Sequence, residues 1–202
     1  MAAMTHEMPH PLYPVILPVE PADRRLKGRD RVAALSRRAR VALAASARLS
    51  GAPLEIEAFR KDGEGVPLPA EGLYWSLSHK PRYVAAAVAP HPVGIDVEEL
   101  RPCRGALFRK VAASQEWALL DAALDPADRF FRFWTAKEAV LKATGVGFKG
   151  ISGCRVIHVS GPHRLTIDFL ERSWQIEQVF FNGHIAAIVC GNRSVRWQLP
   201  ED

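Results

Sequence analysis

Val84-Ala85-Ala86-Ala87-Val88 is answered 101 residues later by Ile185-Ala186-Ala187-Ile188-Val189. Both runs are small and apolar, and each reads as a strand. A helical pattern followed by strands occurs in the same order in each half of the chain. The echo therefore predicts an α+β fold made of two similar α+β halves, each a helix packed on an antiparallel sheet. We place them at residues 1–94 and 95–202. Alanine-rich strands are common, so the echo by itself says nothing about function.

Outward from the first run, Leu73 to Ser78 alternates with Trp75 and Leu77 on one face and Ser76 and Ser78 on the other. His91-Pro92 breaks the second strand, and Val93 to Val97 forms a third. Three strands in quick succession predict an antiparallel meander. Upstream, Leu54 to Phe59 alternates as a strand should, before the turn-rich Lys61-Asp62-Gly63-Glu64-Gly65. Val32, Leu35, Ala39, Ala42 and Leu43 recur at helical spacing, which predicts a helix from Arg31 to Leu49 with Gly51 as its stop. Leu12 to Val19 is a short edge strand limited by Pro14 and Pro18, after a flexible lead over residues 1–11. In the second half, helices are expected at Ala106–Ala112, at Gln115–Ala123 behind a Ser114 cap, and from about Asp128 to Thr144 with Gly145 as terminator. Strands follow at Cys154–Val159, Leu165–Phe169, Ser173–Phe181 and His184–Val189.

The composition fits a packed globular chain: 202 residues, 48% hydrophobic and 24% charged, with a formal charge of +5. The positive charge is concentrated. From Asp23 to Arg48 there are nine Lys or Arg residues against two Asp. Such a balance favours anionic partners, whether nucleic acid, acidic protein surfaces or phosphate-rich small molecules. The arginine stretch lacks interleaved aromatic residues and matches no nucleic-acid recognition motif, so no nucleic-acid partner is expected. Cys103, Cys154 and Cys190 have no metal-site spacing, and their odd number argues against a disulfide framework, so a reduced, cytoplasmic setting is expected. The N-terminus has no secretory pattern and no apolar run approaches the length of a membrane span, so no membrane partner is expected.

Four features could carry chemistry. In Gly94-Ile95-Asp96-Val97-Glu98, strand alternation projects Asp96 and Glu98 from one face. Adjacent carboxylates raise each other's pKa unless a cation lies between them, and a hard divalent cation takes such oxygen ligands. A solvated acidic strand face reads the same way. In Trp134-Thr135-Ala136-Lys137-Glu138-Ala139-Val140-Leu141-Lys142, helical spacing stacks Trp134, Glu138 and Lys142 on one face. Glu138 and Lys142 alone would be an ordinary i,i+4 ion pair. Together with Asp96 and Glu98 they supply what a metal-assisted phosphate site needs. Ser78-His79 closes a strand, where the histidine can donate to a phosphate. The arginine-rich first helix makes phosphate contact plausible without singling out a residue.

In order and spacing these features resemble the Sfp-type 4′-phosphopantetheinyl transferases, which show a Ser-His element, a Gly-Ile-Asp-Val/Ile-Glu strand, and a helix reading Trp-x-x-Lys-Glu-Ala/Ser-x-x-Lys. The resemblance covers roughly residues 30–190. It implies a pseudo-twofold pair of α+β halves with the active site between them. It implies transfer of the phosphopantetheine arm of coenzyme A to a serine of an apo acyl or peptidyl carrier protein, with release of 3′,5′-ADP. Asp96, Glu98 and Glu138 would hold Mg²⁺, with Mn²⁺ equally compatible with three carboxylates. Glu138 would serve as base, Lys142 would meet the leaving phosphate, and Lys137 and His79 would hold phosphate oxygens beside Ser78. Trp134 would pack beneath the site. Arg37 and Arg38 are the candidates for nucleotide phosphate contacts. Arg101 to Trp117 would dock the carrier, with Arg101, Arg104, Arg109 and Lys110 facing acidic residues and Leu107, Phe108 and Val111 as apolar anchors. A monomer is expected on the same grounds. Two positions depart from the family: Gly65-Val66-Pro67 stands where Gly-Lys-Pro is frequent, and Ser78-His79-Lys80 replaces the usual Ser-His-Ser. The alternative is a protein of the same fold that binds coenzyme A or a carrier without catalysis.

Overall fold

The structure, a computed structural model, describes residues 10–52 and 54–201. The first nine residues of the expected flexible lead lie outside the described residues. The chain folds as α+β with two antiparallel sheets. In the first half, β1 (Val15–Pro18) is followed by a short α1 (Pro21–Arg24) and the long α2 (Gly28–Leu49), then β2 (Tyr74–His79) and β3 (Tyr83–Ala89). These strands form a sheet in the order β1-β3-β2. The second half contains β4 (Ile95–Glu99), α3 (Gly105–Val111), α4 (Ser114–Trp117), α5 (Pro126–Thr144), β5 (Arg155–Ser160), β6 (Arg164–Phe169), β7 (Arg172–Phe181) and β8 (His184–Val189). Its sheet runs β4-β8-β7-β6-β5. No helix among the described residues is long and apolar enough to cross a membrane.

The two echoed runs are β3 and β8, and each is the strand on which the long helix of its half packs. Alternation explains the layering. Val84, Ala86 and Val88 face the cluster under α2, whereas Ala85 and Ala87 face the other way. On β8, Ile185, Ala187 and Val189 face α5, while Ala186 and Ile188 meet Ala85, Ala87, Ile95 and Val97 between the sheets. Buried apolar side chains thus run in series from helix to sheet to sheet to helix. The halves are unequal, with three strands against five.

Three expected elements are corrected. Leu54–Phe59 is not a strand; Ile56–Ala58 is a 3₁₀ turn. The Arg40 guanidinium accounts for it, because Nη1 donates to the carbonyls of Ile56 (3.1 Å) and Phe59 (2.9 Å) and turns them inward. β4 does not extend a meander with β2 and β3. It crosses to the second sheet and pairs with β8, Asp96 lying opposite Ala187 and Glu98 opposite Ile185. The helix expected at Gln115–Ala123 is a single turn at Ser114–Trp117, started by Ala113 rather than Ser114. Glu116 Oε2 accepts the Ala113 N–H there (2.9 Å), and Asp121 turns the chain by accepting from Ala123 N (2.8 Å). By contrast, α5 has clear ends. Asp125 caps Ala127 N at 2.7 Å, Pro126 opens the first turn, and Gly145 closes it at φ 71°, in the left-handed region that favours glycine.

Residues after β8 return to the first half. Leu12 N donates to Ser194 O and Ile16 N to Gln198 O, each at 2.9 Å, so this tail runs parallel to β1 along its outer side.

Candidate active site

Gly94 sets the distance between β4 and α5. A Cβ at this position would lie 1.8 Å from the Ala139 carbonyl oxygen and 2.7 Å from Ala143 N. Only a residue without a side chain lets the helix backbone approach so closely. The approach brings the Glu138–Lys142 face of α5 against the acidic face of β4. Lys142 Nζ donates to Asp96 Oδ1 (2.7 Å) and to the Ile95 carbonyl (3.0 Å). From β2, Ser78 Oγ donates to the same Asp96 oxygen at 2.8 Å, and Ser76 Oγ accepts from Ile95 N at 3.1 Å. Glu98 Oε1 accepts from Lys80 Nζ and from Trp134 Nε1, both at 2.8 Å. Asp96, Glu98, Glu138, Lys142, His79 and Ser78 line one cleft of about 350 Å³.

Three carboxylates, of Asp96, Glu98 and Glu138, and three lysines, Lys61, Lys80 and Lys142, line the cleft. Burial first, and then the charge of Asp96, push both Glu98 and Glu138 above the usual carboxylate range. Lys80 and Trp134 partly oppose this at Glu98. Burial, followed by the nearby Lys142 ammonium, holds His79 below its ordinary value, so the ring is neutral near pH 7. Asp96 Oδ2 is buried with no hydrogen-bond partner. An all-oxygen donor set with one orphaned carboxylate oxygen fits a hard divalent cation. Among the described residues, no three His, Cys, Asp or Glu side chains are gathered as a closed metal cage. One oxygen of each of Asp96 and Glu98 is instead turned to a lysine.

Not every expected site residue reaches this cleft. Trp134 does, stacking on Phe130 at 5.8 Å while its indole N–H holds Glu98. Lys137 does not, and its expected place at phosphate oxygens is corrected. Its side chain is 1% exposed and points toward α3 and α4, where Nζ donates to Glu116 Oε1 (2.6 Å) and Val111 O (2.7 Å). Arg37 is exposed on α2, outside the clefts described here. Arg38 Nε is spent on the Pro18 carbonyl (2.9 Å), and its Nη2 lies 3.4 Å from Glu20. Of the three apolar anchors, Val111 is buried and Phe108 packs on Trp117 and Phe130, which leaves Leu107 exposed. Arg101, Arg104 and Leu107 line a second cleft of about 600 Å³ that shares Glu98 and Trp134 with the first.

Two residues at or near the site had no sequence reading: Lys61, which lines the carboxylate cleft from the first half, and Glu116, the partner of Lys137. Lys61 was legible only as part of a polar turn. Glu116 had no local signature, because its partner is 21 residues away on another element.

Residues 92–189 match the family model of the 4′-phosphopantetheinyl transferase superfamily. Within it, the resemblance to the Sfp type is borne out by curated relatives. The chain is 37% identical over 106 residues to the 4′-phosphopantetheinyl transferase psf-1 of Bacillus pumilus, covering 50% of this chain and 43% of that protein. It is 32% identical over 97 residues to the 4′-phosphopantetheinyl transferase gsp of Aneurinibacillus migulanus (47% and 41%), and 29% identical over 76 residues to Sfp of Bacillus subtilis (37% and 34%). The matched segment spans less than half the length of each relative.

Proposed function

We propose that the protein transfers the 4′-phosphopantetheine group of coenzyme A to a serine of an apo acyl or peptidyl carrier protein, releasing 3′,5′-ADP. The observation that carries this reading is the meeting of Asp96, Glu98, Glu138 and Lys142 in one cleft, within the segment that matches the superfamily. In the reaction, the carrier serine oxygen forms a bond to the β-phosphorus while the bond from that phosphorus to the ADP oxygen breaks. Glu138, with its raised proton affinity, takes the serine proton. Lys142 faces the charge that develops on the departing ADP phosphate. His79, neutral, donates a ring N–H to a phosphate oxygen. Asp96, Glu98 and Glu138 are the residues that would hold Mg²⁺, or Mn²⁺, and the ion would neutralise diphosphate charge there. Lys80 and Lys142 hold two of these carboxylates in place. Lys137 acts through the fold, tying α5 to α3 and α4.

The carrier docks over the second cleft. Arg101, Arg104, Arg109 and Lys110 are exposed around Leu107, a basic surface with one apolar anchor. A reducing compartment such as the cytoplasm suits the three free thiols, of which buried Cys154 is pushed up to about 12 and Cys190 to about 11. We take the active species to be a monomer.

The test is intact-mass measurement of a panel of apo carrier proteins incubated with the protein, coenzyme A and Mg²⁺. A gain of one phosphopantetheine arm, lost on chelation, is expected. Glu138→Gln should lower the rate by about 10²–10⁴-fold while the fold survives. No mass gain on any carrier, with coenzyme A bound, would transfer the assignment to a non-catalytic binding protein.

A further inference from the structure

Arg60 to Leu68 form a compact hairpin. Asp62 N donates to Val66 O and Leu68 N to Arg60 O, each at 2.9 Å. Asp62 Oδ1 accepts from Glu64 N (2.9 Å) and Val66 N (2.8 Å) and locks the turn. The hairpin is held at both ends. Arg40 of α2 binds the carbonyls just before it. Val66 at its tip sits over Gly145 at the end of α5, where a Cβ would lie 3.1 Å from Val66 Cγ1. A first-half hairpin is thereby fixed against the second-half catalytic helix.

This placement aims Lys61 into the gap. Lys61 lines the carboxylate cleft and also the adjoining cleft under Val66 and Pro67, and Glu138 and Lys142 line both as well. The other lysines at or near the site are each held by a carboxylate: Lys80 by Glu98, Lys142 by Asp96 and Lys137 by Glu116. Among the described residues no carboxylate pairs with Lys61. Burial, then the charges of Lys142 and Arg40, push its ammonium below the usual lysine range. Lys61 is exposed at the mouth of the cleft, and a cation facing other cations there costs free energy that an incoming anion would offset.

We infer that Lys61 binds an oxygen of the coenzyme A diphosphate, extending the phosphate subsite across the junction between the two halves. The inference rests on the transferase reading and adds to it a binding residue outside the family motifs. The diphosphate is favoured over the 3′-phosphate because Lys61 shares both of its clefts with Lys142 and Glu138, which face the reacting phosphorus.

Calorimetric titration of the full chain with coenzyme A in Mg²⁺, together with transfer kinetics on a working carrier, tests it. Lys61→Ala should weaken coenzyme A binding and raise its KM about tenfold, with kcat within about twofold and carrier KM unchanged. Lys61→Arg should restore binding, because the charge is kept. The same penalty should persist with 3′-dephospho-coenzyme A. A Lys61→Ala protein that binds as the wild type does, an arginine variant as impaired as alanine, or a penalty that vanishes with the dephospho compound would each overturn the inference alone. A wild type that neither binds coenzyme A nor modifies a carrier would overturn the transferase reading, and this inference with it.

Discussion

Lys137 and Glu138 are consecutive on α5, so their side chains leave the helix about 100° apart. One residue enters the cleft and the other enters the protein. Glu116 meets Lys137 at 2.6 Å, and the same carboxylate also accepts from Val156 N (2.9 Å) and Ala113 N (2.9 Å). One side chain therefore ties α5 to the start of α4 and to β5, while Lys137 adds the Val111 carbonyl at the end of α3. Removing one member of a buried pair leaves an uncompensated charge. Glu116→Ala should cost about 3–5 kcal/mol of stability, read by urea denaturation, and Glu116→Leu with Lys137→Met should recover much of it. An unchanged midpoint in Glu116→Ala would show that the pair carries no such weight. The same residues mark what was legible at this scale. Strand alternation and i,i+4 spacing fix which neighbours share a face, so Asp96, Glu98, Glu138 and Lys142 could be grouped from sequence. The motif placed Lys137 among them, but what a side chain touches depends on a distant element, and Glu116 gave no sign of itself.

Among the elements, the contact of β4 with α5 is the one on which the cleft depends. It exists because Gly94 leaves room for the Ala139 carbonyl. A methyl group there has only backbone to push against, and backbone does not yield as a flexible side chain does. Gly94→Ala should therefore reach at least the upper end of the about 1–3 kcal/mol typical of overpacking, seen as a lower melting temperature. It should also separate Lys142 from Asp96 and reduce transfer. Melting and turnover close to wild type would contradict the packing argument. Capping chemistry made α5 readable to within about two residues. The partner of β4 was not readable, because a strand's neighbours are chosen across the whole chain. Leu54–Phe59 failed for a similar reason: its alternation was genuine, but Arg40 claimed its carbonyls.

Across the whole molecule, the two sheets are joined through an apolar layer that includes Tyr83, Ile95 and Ile188. At its rim, His184 of β8 lies 4.7 Å from the Tyr83 ring of β3 and 5.7 Å from Phe181. Its Nδ1 is 2.8 Å from Asn182 O, and Nε2 is buried without a partner. Burial is the main cause that holds His184 below its ordinary value of 6.5, with Arg82 adding to this and Glu99 opposing it. The folded state thus prefers the neutral ring. This contribution is fully present above the unfolded value and is lost as pH falls below it, because the unfolded chain takes up the proton first. Melting temperature should fall as pH drops from 7 to 5, and His184→Phe should shallow that slope. His79 and His91 share the sign, while Glu98 and Glu138, held above their ordinary values in the fold, oppose it. An identical slope in the variant would remove His184 from the account. The two alanine-rich strands, β3 and β8, were visible in the echo, whereas this junction was not, since it joins residues 101 positions apart.

The tail that runs along β1 has a consequence for how the protein is made. Strand β1 is synthesised well before the segment that covers its outer side; the two pair through Leu12 with Ser194 and Ile16 with Gln198. Until that segment emerges the early sheet carries a bare edge, with free N–H and C=O groups of the kind that recruit foreign strands. Completion of the first half thus waits for that later segment, and until it emerges the nascent chain is at its most vulnerable to pairing with the wrong neighbour.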